Sequence, residues 1–345
     1  MSRQDDQDET EAPHPRAAAA LFGHQAAEQG MLAAYRTGRV PHAFLIVGPK
    51  GIGKATLAYR MARFILAHPH PAAAAVQDAI SLAVEPDHPV ARRVAAQAQG
   101  DLLVLERTLN ERGVLRQQIA VEDVRRTVSF FGSTAGEDGW RVAIVDAVDE
   151  LNAAGANALL KILEEPPQRA LLLLVSHSAA RVPATLRSRC SMVRLRPLSE
   201  GDVAAAVAAV TGSAANDPQV AAAAAAAEGS VARALALLDE DTLELRQRAV
   251  ALLERLPALS TDALHALGDA LAGTDPQPLA AFVDTVNAWL SQRVEAAPEE
   301  IGRLARLADA WERINQSARD AETYNLERKP FVFGVFGLLA EATLG

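Results

Sequence analysis

A glycine-rich loop between an apolar segment and a helical one most constrains the fold of this chain. The loop, residues 48–54, follows the apolar run 43–47, and apolar residues behind it recur at helical spacing. A strand, a glycine turn and a helix N-terminus form the geometry of a phosphate site, because orphan N–H groups and the helix dipole favour an anion there. The predicted nucleotide-binding residues here are Gly48, Pro49, Lys50, Gly51, Ile52, Gly53, Lys54, Ala55 and Thr56.

The cation of this loop and the residue after it indicate binding without efficient turnover. Lysine is scarce: the chain has four, against 30 arginines by difference from the Lys+Arg total of 34, and one of the four is Lys54. Ala55 follows where the pattern calls for Ser or Thr, whose hydroxyl normally holds Mg²⁺. Thr56 lies about 100° further round the helix, so we do not expect its hydroxyl at the same ion. The loop therefore predicts ATP or ADP as ligand, bound without efficient hydrolysis.

A second motif points to the same interpretation. The apolar run 142–145 ends in Asp146, where phosphate-loop proteins place the carboxylate that organises Mg²⁺, although such an aspartate is also a common helix N-cap. Ala147 stands where many ATPases have the glutamate that polarises water. Asp149 and Glu150 are expected to start the helix that follows, 151–165, where acidic residues suit the dipole. The general base is predicted to be missing.

Composition excludes several classes of protein. The chain has 43 acidic and 34 basic residues, a net charge of −9, which argues against a protein that grips DNA through its own basic surface. A single cysteine, Cys190, excludes an internal disulfide and a Cys₄ zinc site. No apolar run approaches the roughly 20 residues that span a bilayer. We expect a cytoplasmic chain with no membrane contact.

The order of apolar and helical patterns predicts the architecture. Residues 1–17 are polar and acidic and are expected to form a disordered tail. Between 18 and 197, strands alternate with helices, which predicts a parallel sheet covered on both faces. The strand candidates are 43–47, 102–105, 142–145, 171–175 and 192–195. Beyond 197 the pattern is helical, and the alanine run 221–227 favours a helix over a flexible linker.

Several segments between about 20 and 240 resemble the AAA+ clamp-loader family. They include the Asn-Ala-Leu-Leu-Lys run and the acidic and proline residues after it, an Arg-Ser-Arg-Cys turn and a Gly-Ser-Val-Ala-Arg segment. The residues that carry the likeness are His24-Gln25, Pro41-His42-Ala43, 157–167, 186–190 and 229–234. The last hundred residues are similar only as a helical region.

The resemblance implies an α/β AAA+ P-loop core with a parallel sheet at 18–197, a small helical lid at 198–240 and an all-α collar domain at 241–345. It implies partners as well: four other subunits in a hetero-pentameric ring, the sliding clamp indirectly, and primed DNA through the complex. Ala55 and Ala147 agree with the non-motor members of the family.

The resemblance also gives meaning to two arginines. Arg189 is the expected finger that reaches the ATP of a neighbouring subunit, although alone it would pass for a surface charge, and Arg233 is the expected sensor that contacts nucleotide. Many relatives carry a cysteine zinc module where 67–100 has only His68, His70 and His88. Their spacing defines no tetrahedral set, so we predict no zinc, no other metal site and solvated loop histidines.

Two other functions remain open on the sequence. An active ATPase of the same superfamily, a motor subunit or a recombination protein, would need unusual Mg²⁺ ligation. A small-molecule kinase shares the phosphate loop but needs an acceptor pocket and a lid, which the helical C-terminal third does not resemble.

Overall fold

The computed structural model describes residues 14–108, 116, 118–132, 139–273, 276–296, 301–324 and 326–343. It divides into two compact units, Met1–Leu235 and Ala236–Gly345. The three-domain organisation expected from the sequence, with boundaries at 197 and 240, stays a prediction. Most of the predicted tail, 1–17, lies outside the described residues, but residues 14–17 are described and form a turn.

The first unit is built on a five-stranded parallel sheet. Its order is β2-β3-β4-β1-β5, so the strand that leads into the glycine loop, β1, lies between β4 and β5. The strands are β1 Ala43–Val47, β2 Leu102–Glu106, β3 Arg141–Asp146, β4 Ala170–Ser176 and β5 Ser191–Arg194. Every residue of β1 and β4 is buried, as expected for strands covered on both faces. All five predicted strands and the predicted α/β core are confirmed.

Helices cover both faces of this sheet. They are α1 Gln25–Arg36, α2 Lys54–Ala67, α3 Ala74–Gln77, α4 Pro89–Ala95, α5 Val121–Gly132, α6 Ala153–Glu164, α7 Ala184–Arg187, α8 Glu200–Thr211, α9 Pro218–Ala226 and α10 Val231–Ala236. Of these, α1–α4 pack into one core cluster and α5–α7 into the other, and the last three helices follow β5. The alanine run forms α9, because Asp217 accepts hydrogen bonds at its N-terminus and Pro218 occupies the first turn. The predicted helix at 151–165 begins only at Ala153, after the Asn152 cap.

The stretch 67–100, for which we predicted no zinc, is held by ordinary contacts. The His68 ring lies 4.9 Å from the Phe64 ring, and His88 accepts a hydrogen bond from the first turn of α4. His70 is exposed. The expectation of solvated loop histidines is therefore wrong for two of the three. Across the described residues, no group of three or more His, Cys, Asp or Glu side chains could hold a metal ion.

The second unit is helical throughout its described residues. Its elements are α11 Glu240–Leu253, α12 Thr261–Ala270, α13 Pro276–Ala296, α14 Ile301–Tyr324 and α15 Arg328–Thr343. They enclose their own apolar core, with Phe282 and Phe336 fully buried. Asn287 of α13 and Asn315 of α14 exchange two side-chain hydrogen bonds of 3.1 and 3.0 Å, which fix how these two helices align. Of the helices in the described ranges, none is long and apolar enough to cross a membrane.

Candidate nucleotide-binding site

The glycine loop has the backbone that only glycine adopts easily. Gly51 has φ +78° and Gly53, which precedes α2, has φ +98°. A Cβ on Gly48 would lie 2.6 Å from the Leu195 carbonyl oxygen, so β5 packs directly on the start of the loop. These positions let the loop curl tightly between β1 and α2, as the sequence predicts.

Lys54 is the buried cation of the loop. Its side chain is 3% exposed, and its Nζ donates to the Pro49 carbonyl inside the loop. Burial lowers the pKa of Lys54 to about 8, opposed by the nearby carboxylates of Asp146 and Asp149. A buried ammonium held at the mouth of a loop is poorly solvated, so an anionic ligand would supply the charge that water does not.

Asp146 ends β3 at the same edge of the sheet. Burial raises its pKa to about 6, while the positive charge of Lys54 pulls in the opposite direction. The two residues thus share one poorly solvated pocket. Asp149 and Glu150 were expected to start the next helix, but they form a separate short 3₁₀ turn, Val148–Glu150, before it. Glu150 pairs with Arg107 across 2.9 Å.

A cavity of about 830 Å³ lies over the loop and collects residues from seven segments of the first unit. This volume suits a small-molecule ligand of nucleotide size. Its lining combines polar side chains, among them Lys54, Thr56 and Asp146, with apolar side chains of α8 and α10. Of the loop residues predicted to bind nucleotide, those that line the cavity are Lys50, Gly51, Ile52, Gly53, Lys54, Ala55 and Thr56.

His177 is a residue of this site that sequence reasoning missed. It directly follows β4, lines the cavity, and its backbone N–H donates to Asp149 across 3.0 Å. Burial, with Lys54 nearby, lowers its pKa to about 4, so the ring is neutral at pH 7. Within the described structure its buried Nδ1 has no hydrogen-bond partner. A polar ligand would satisfy that atom, so the residues present fit a nucleotide. In the sequence, the signal that could have identified His177 was a polar residue directly after a predicted apolar strand.

The start of α10 packs on the loop, but the predicted sensor does not reach the cavity. The Val231 N–H donates to the Gly51 carbonyl across 2.9 Å, and Val231 and Ala232 line the cavity. Arg233 instead pairs with Glu228 across 2.8 Å and is not a lining residue. Its contact with nucleotide stays a prediction.

Arg189 lies away from the cavity, in the turn between α7 and β5. Its guanidinium is exposed and donates to the Glu164 carboxylate at 2.9 Å and to the Thr185 carbonyl at 3.0 Å. The side chain is thus oriented at the surface of the first unit. Cys190 beside it is half-buried, and burial raises its pKa to about 11, which agrees with a structural role for this thiol.

Comparisons with known proteins identify the family of this chain. A family model described as DNA polymerase III, delta subunit, matches residues 23–199. The chain is 36% identical over 149 residues to DNA polymerase III subunit delta' of Pseudomonas aeruginosa, which is 43% of this chain and 41% of that protein. It is 29% identical over 287 residues to subunit gamma/tau of Mycobacterium tuberculosis, 79% of this chain and 46% of that protein.

A third relative, subunit delta' of Escherichia coli, is 29% identical over 175 residues, 49% of this chain and 47% of that protein. The chain thus spans less than half the length of each of these relatives. The family match covers the phosphate loop, the end of β3 and the turn that carries Arg189, and it takes in just over half of the chain. The chain therefore belongs to the family described as DNA polymerase III, delta subunit.

Proposed function

We propose that this chain acts in DNA replication as a delta-prime-type subunit of a clamp loader, with weak or no ATP hydrolysis of its own. It binds ATP or ADP in the cavity above the glycine loop, and it supplies Arg189 to the ATP site of a neighbouring subunit. The observation that carries the proposal is the combination of a buried loop lysine with alanine at both positions that hydrolysis needs.

The loop supports retained binding. Lys54 is buried beside Asp146, and burying its ammonium there costs folding free energy. A role in ligand binding accounts for a lysine at this position. The left-handed glycines and the unpartnered His177 nitrogen belong to the same cavity. A phosphate group would meet the cation, the loop N–H groups and the imidazole together.

The same site argues against efficient turnover. Ala55 lines the cavity without a hydroxyl to hold Mg²⁺, and Ala147 lines it without a carboxylate to activate water. Thr56 and Glu150 also line the cavity, so they are the candidates for residual activity. Burial raises the pKa of Glu150, and the ion pair with Arg107 opposes that rise and engages the carboxylate.

The arginine finger explains why the fold is kept without turnover. Arg189 is exposed on a short turn, and its guanidinium retains N–H groups beyond the two that bond to Glu164 and Thr185. A finger of this kind stabilises charge that develops on the transferred phosphate, with effects on the order of 10³–10⁵ in rate in well-studied hydrolases. The partners are then the other loader subunits in a hetero-pentameric ring in the cytoplasm, with the sliding clamp and primed DNA reached through the complex.

The first experiment uses the purified chain. We expect it to bind ADP in a calorimetric titration and to show no lysine-dependent ATP hydrolysis, with Lys54→Ala as the comparison. Robust hydrolysis that disappears in Lys54→Ala would overturn the proposal in favour of a motor subunit or a recombination-type ATPase. Phosphate transfer to a metabolite in a substrate screen would favour a small-molecule kinase.

The second experiment uses the reconstituted complex with its partner subunits. Arg189→Ala is expected to lower DNA-stimulated ATP hydrolysis by at least 10³-fold while assembly, followed by gel filtration, survives. Arg181→Ala, at an exposed arginine of the preceding loop, is the matched control and should leave the rate unchanged. Unchanged hydrolysis in Arg189→Ala would remove the finger role.

A further inference from the structure

Two arginines of α2 are buried, which is rare for this residue type. Arg60 and Arg63 are each 6% exposed, and they lie in the largely buried middle of α2. Burying a guanidinium without partners is costly, so its donors must be satisfied by specific groups. The identity of those groups shows what the two side chains hold in place.

The partners are backbone carbonyls of the segment before α1. Arg63 donates from Nη1 to the Arg16 carbonyl across 3.0 Å and from Nη2 to the Ala18 carbonyl across 2.5 Å. Arg60 donates to the Ala19 carbonyl and also forms a buried salt bridge to Glu28 across 2.7 Å. Three carbonyls of a segment that belongs to none of the described helices or strands are thus held by α2.

The same segment forms one wall of the cavity. Pro15 and residues 17–22 line it together with apolar side chains of α8, and a Cβ on Gly53 would lie 3.9 Å from Leu21, so the end of the segment meets the loop. The side chains of residues 17–20 are alanine methyl groups, and Leu21 and Phe22 follow them. Such a surface suits the base and ribose of a nucleotide and leaves the phosphates to the loop.

We propose that Arg63 is a positioning residue of the nucleotide site: it clasps residues 16–18 so that they form the wall against which the nucleoside half of the ligand packs. The proposal rests on the nucleotide binding proposed above. One helix then performs two tasks, because Lys54 at its first position meets phosphate and Arg63, about 14 Å further along the axis, holds the segment that lines the cavity. Arg63 does not touch the ligand itself.

Arg63 is the better of the two arginines to test. Removing Arg60 would leave the Glu28 carboxylate buried and unpaired, which is strongly destabilising whatever happens at the cavity. The hydrogen bonds of Arg63 go to backbone carbonyls, and it forms no salt bridge within the described part of the chain. Arg63→Met keeps the apolar stem and removes the donors, and Arg63→Lys keeps one charged donor group.

The test is calorimetric titration of the full chain with ADP and, separately, with inorganic pyrophosphate. Arg63→Met should weaken ADP binding at least tenfold and change pyrophosphate binding less than twofold, since pyrophosphate needs only the loop. Arg63→Lys should restore part of the ADP affinity. Arg39→Met, at an exposed arginine just after α1, should bind ADP like the wild type.

Amide hydrogen exchange gives the second measurement. In Arg63→Met, exchange in residues 14–22 should become at least tenfold faster while β1 and the loop exchange at the wild-type rate. Unchanged ADP affinity, or an equal loss of ADP and pyrophosphate affinity, would overturn the clasp. A wild-type chain that binds pyrophosphate but not ADP would overturn both the positioning role of Arg63 and the proposed nucleotide ligand. If the wild type binds ADP and Arg63→Met binds it more weakly, with pyrophosphate binding unchanged, both proposals are supported.

Discussion

Replacing Lys54 with methionine should make the first unit more stable while it destroys the nucleotide site. The Lys54 ammonium is 3% exposed, and burial moves its pKa from 10.5 to about 8. At about 1.4 kcal/mol per tenfold change, keeping the buried side chain protonated costs about 3 kcal/mol of folding free energy at pH 7. Methionine has similar length and no charge to desolvate.

Asp146 offsets part of this gain. Lys54 lowers the pKa of Asp146, which burial otherwise raises, so the aspartate loses a favourable neighbour when the lysine is removed. We therefore expect a net gain of about 1–2 kcal/mol for Lys54→Met, which raises Tm by about 2–8 °C in a unit of this size. Lys50→Met is the control, because Lys50 is exposed in the same loop and its removal should leave Tm nearly unchanged.

The stability difference between Lys54→Met and the wild type should depend on pH. The folded-state pKa of Lys54 lies below its unfolded value, so the penalty is fully present below about pH 8 and is relieved as pH rises towards 10.5. Wild-type stability should approach that of Lys54→Met over this window, and thermal unfolding at pH 7 and pH 10 measures the change. A variant less stable than the wild type at pH 7, or a gap that does not narrow, would refute the argument that burial of the ammonium dominates.

Three further predictions test other contacts. Gly229→Ala should destabilise the first unit by about 2 kcal/mol or more, because φ is +79° and the new Cβ would lie 2.6 Å from a backbone nitrogen. Gly30→Ala, in open space on α1, is the control and should stabilise the unit by about 0.5–1 kcal/mol, so equal shifts of Tm in the two variants would contradict the argument. Glu28→Met should lower the free energy of unfolding by about 3–5 kcal/mol, because it leaves the buried Arg60 without its carboxylate partner. The double variant with Arg60→Met should recover part of this loss in denaturant unfolding, whereas losses that simply add would exclude coupling between the two residues. Burial raises the pKa of Cys190 to about 11, so at pH 7 its thiol in the folded chain should react with iodoacetamide at least tenfold more slowly than in the chain unfolded by urea. Equal rates in the folded and unfolded chains would exclude a protected thiol.

Local pattern was enough for the sheet and the loop. Runs of four or five mostly apolar residues bounded by polar turns predicted each strand to within one residue, because a strand buried in a parallel sheet is marked by continuous apolar side chains. The glycines at 51 and 53 were readable because only glycine takes their φ values without strain. The alanine run forms a helix, as expected from the high helix propensity of alanine.

The start and end of some segments depended on contacts that local pattern does not contain. Residues 14–17 belong by composition to a polar tail, yet Arg63 holds the Arg16 carbonyl from 47 positions away. Asp149 and Glu150 suit a helix N-terminus, but Asn152 caps α6 and the acidic pair forms its own turn. Long-range hydrogen bonds decided these cases over local propensity.

The sequence by itself determined a parallel α/β core, the position of its glycine loop, alanine at the two positions on which we base weak or absent hydrolysis, and the short polar turn of Arg189. The tertiary structure alone decided which side chains meet at the cavity: it brought in His177 from β4 and the clasped segment before α1, and it turned Arg233 towards Glu228. The physical reason is that backbone conformation follows from neighbours in sequence, whereas burial, pKa and partner choice follow from which distant elements the fold places side by side.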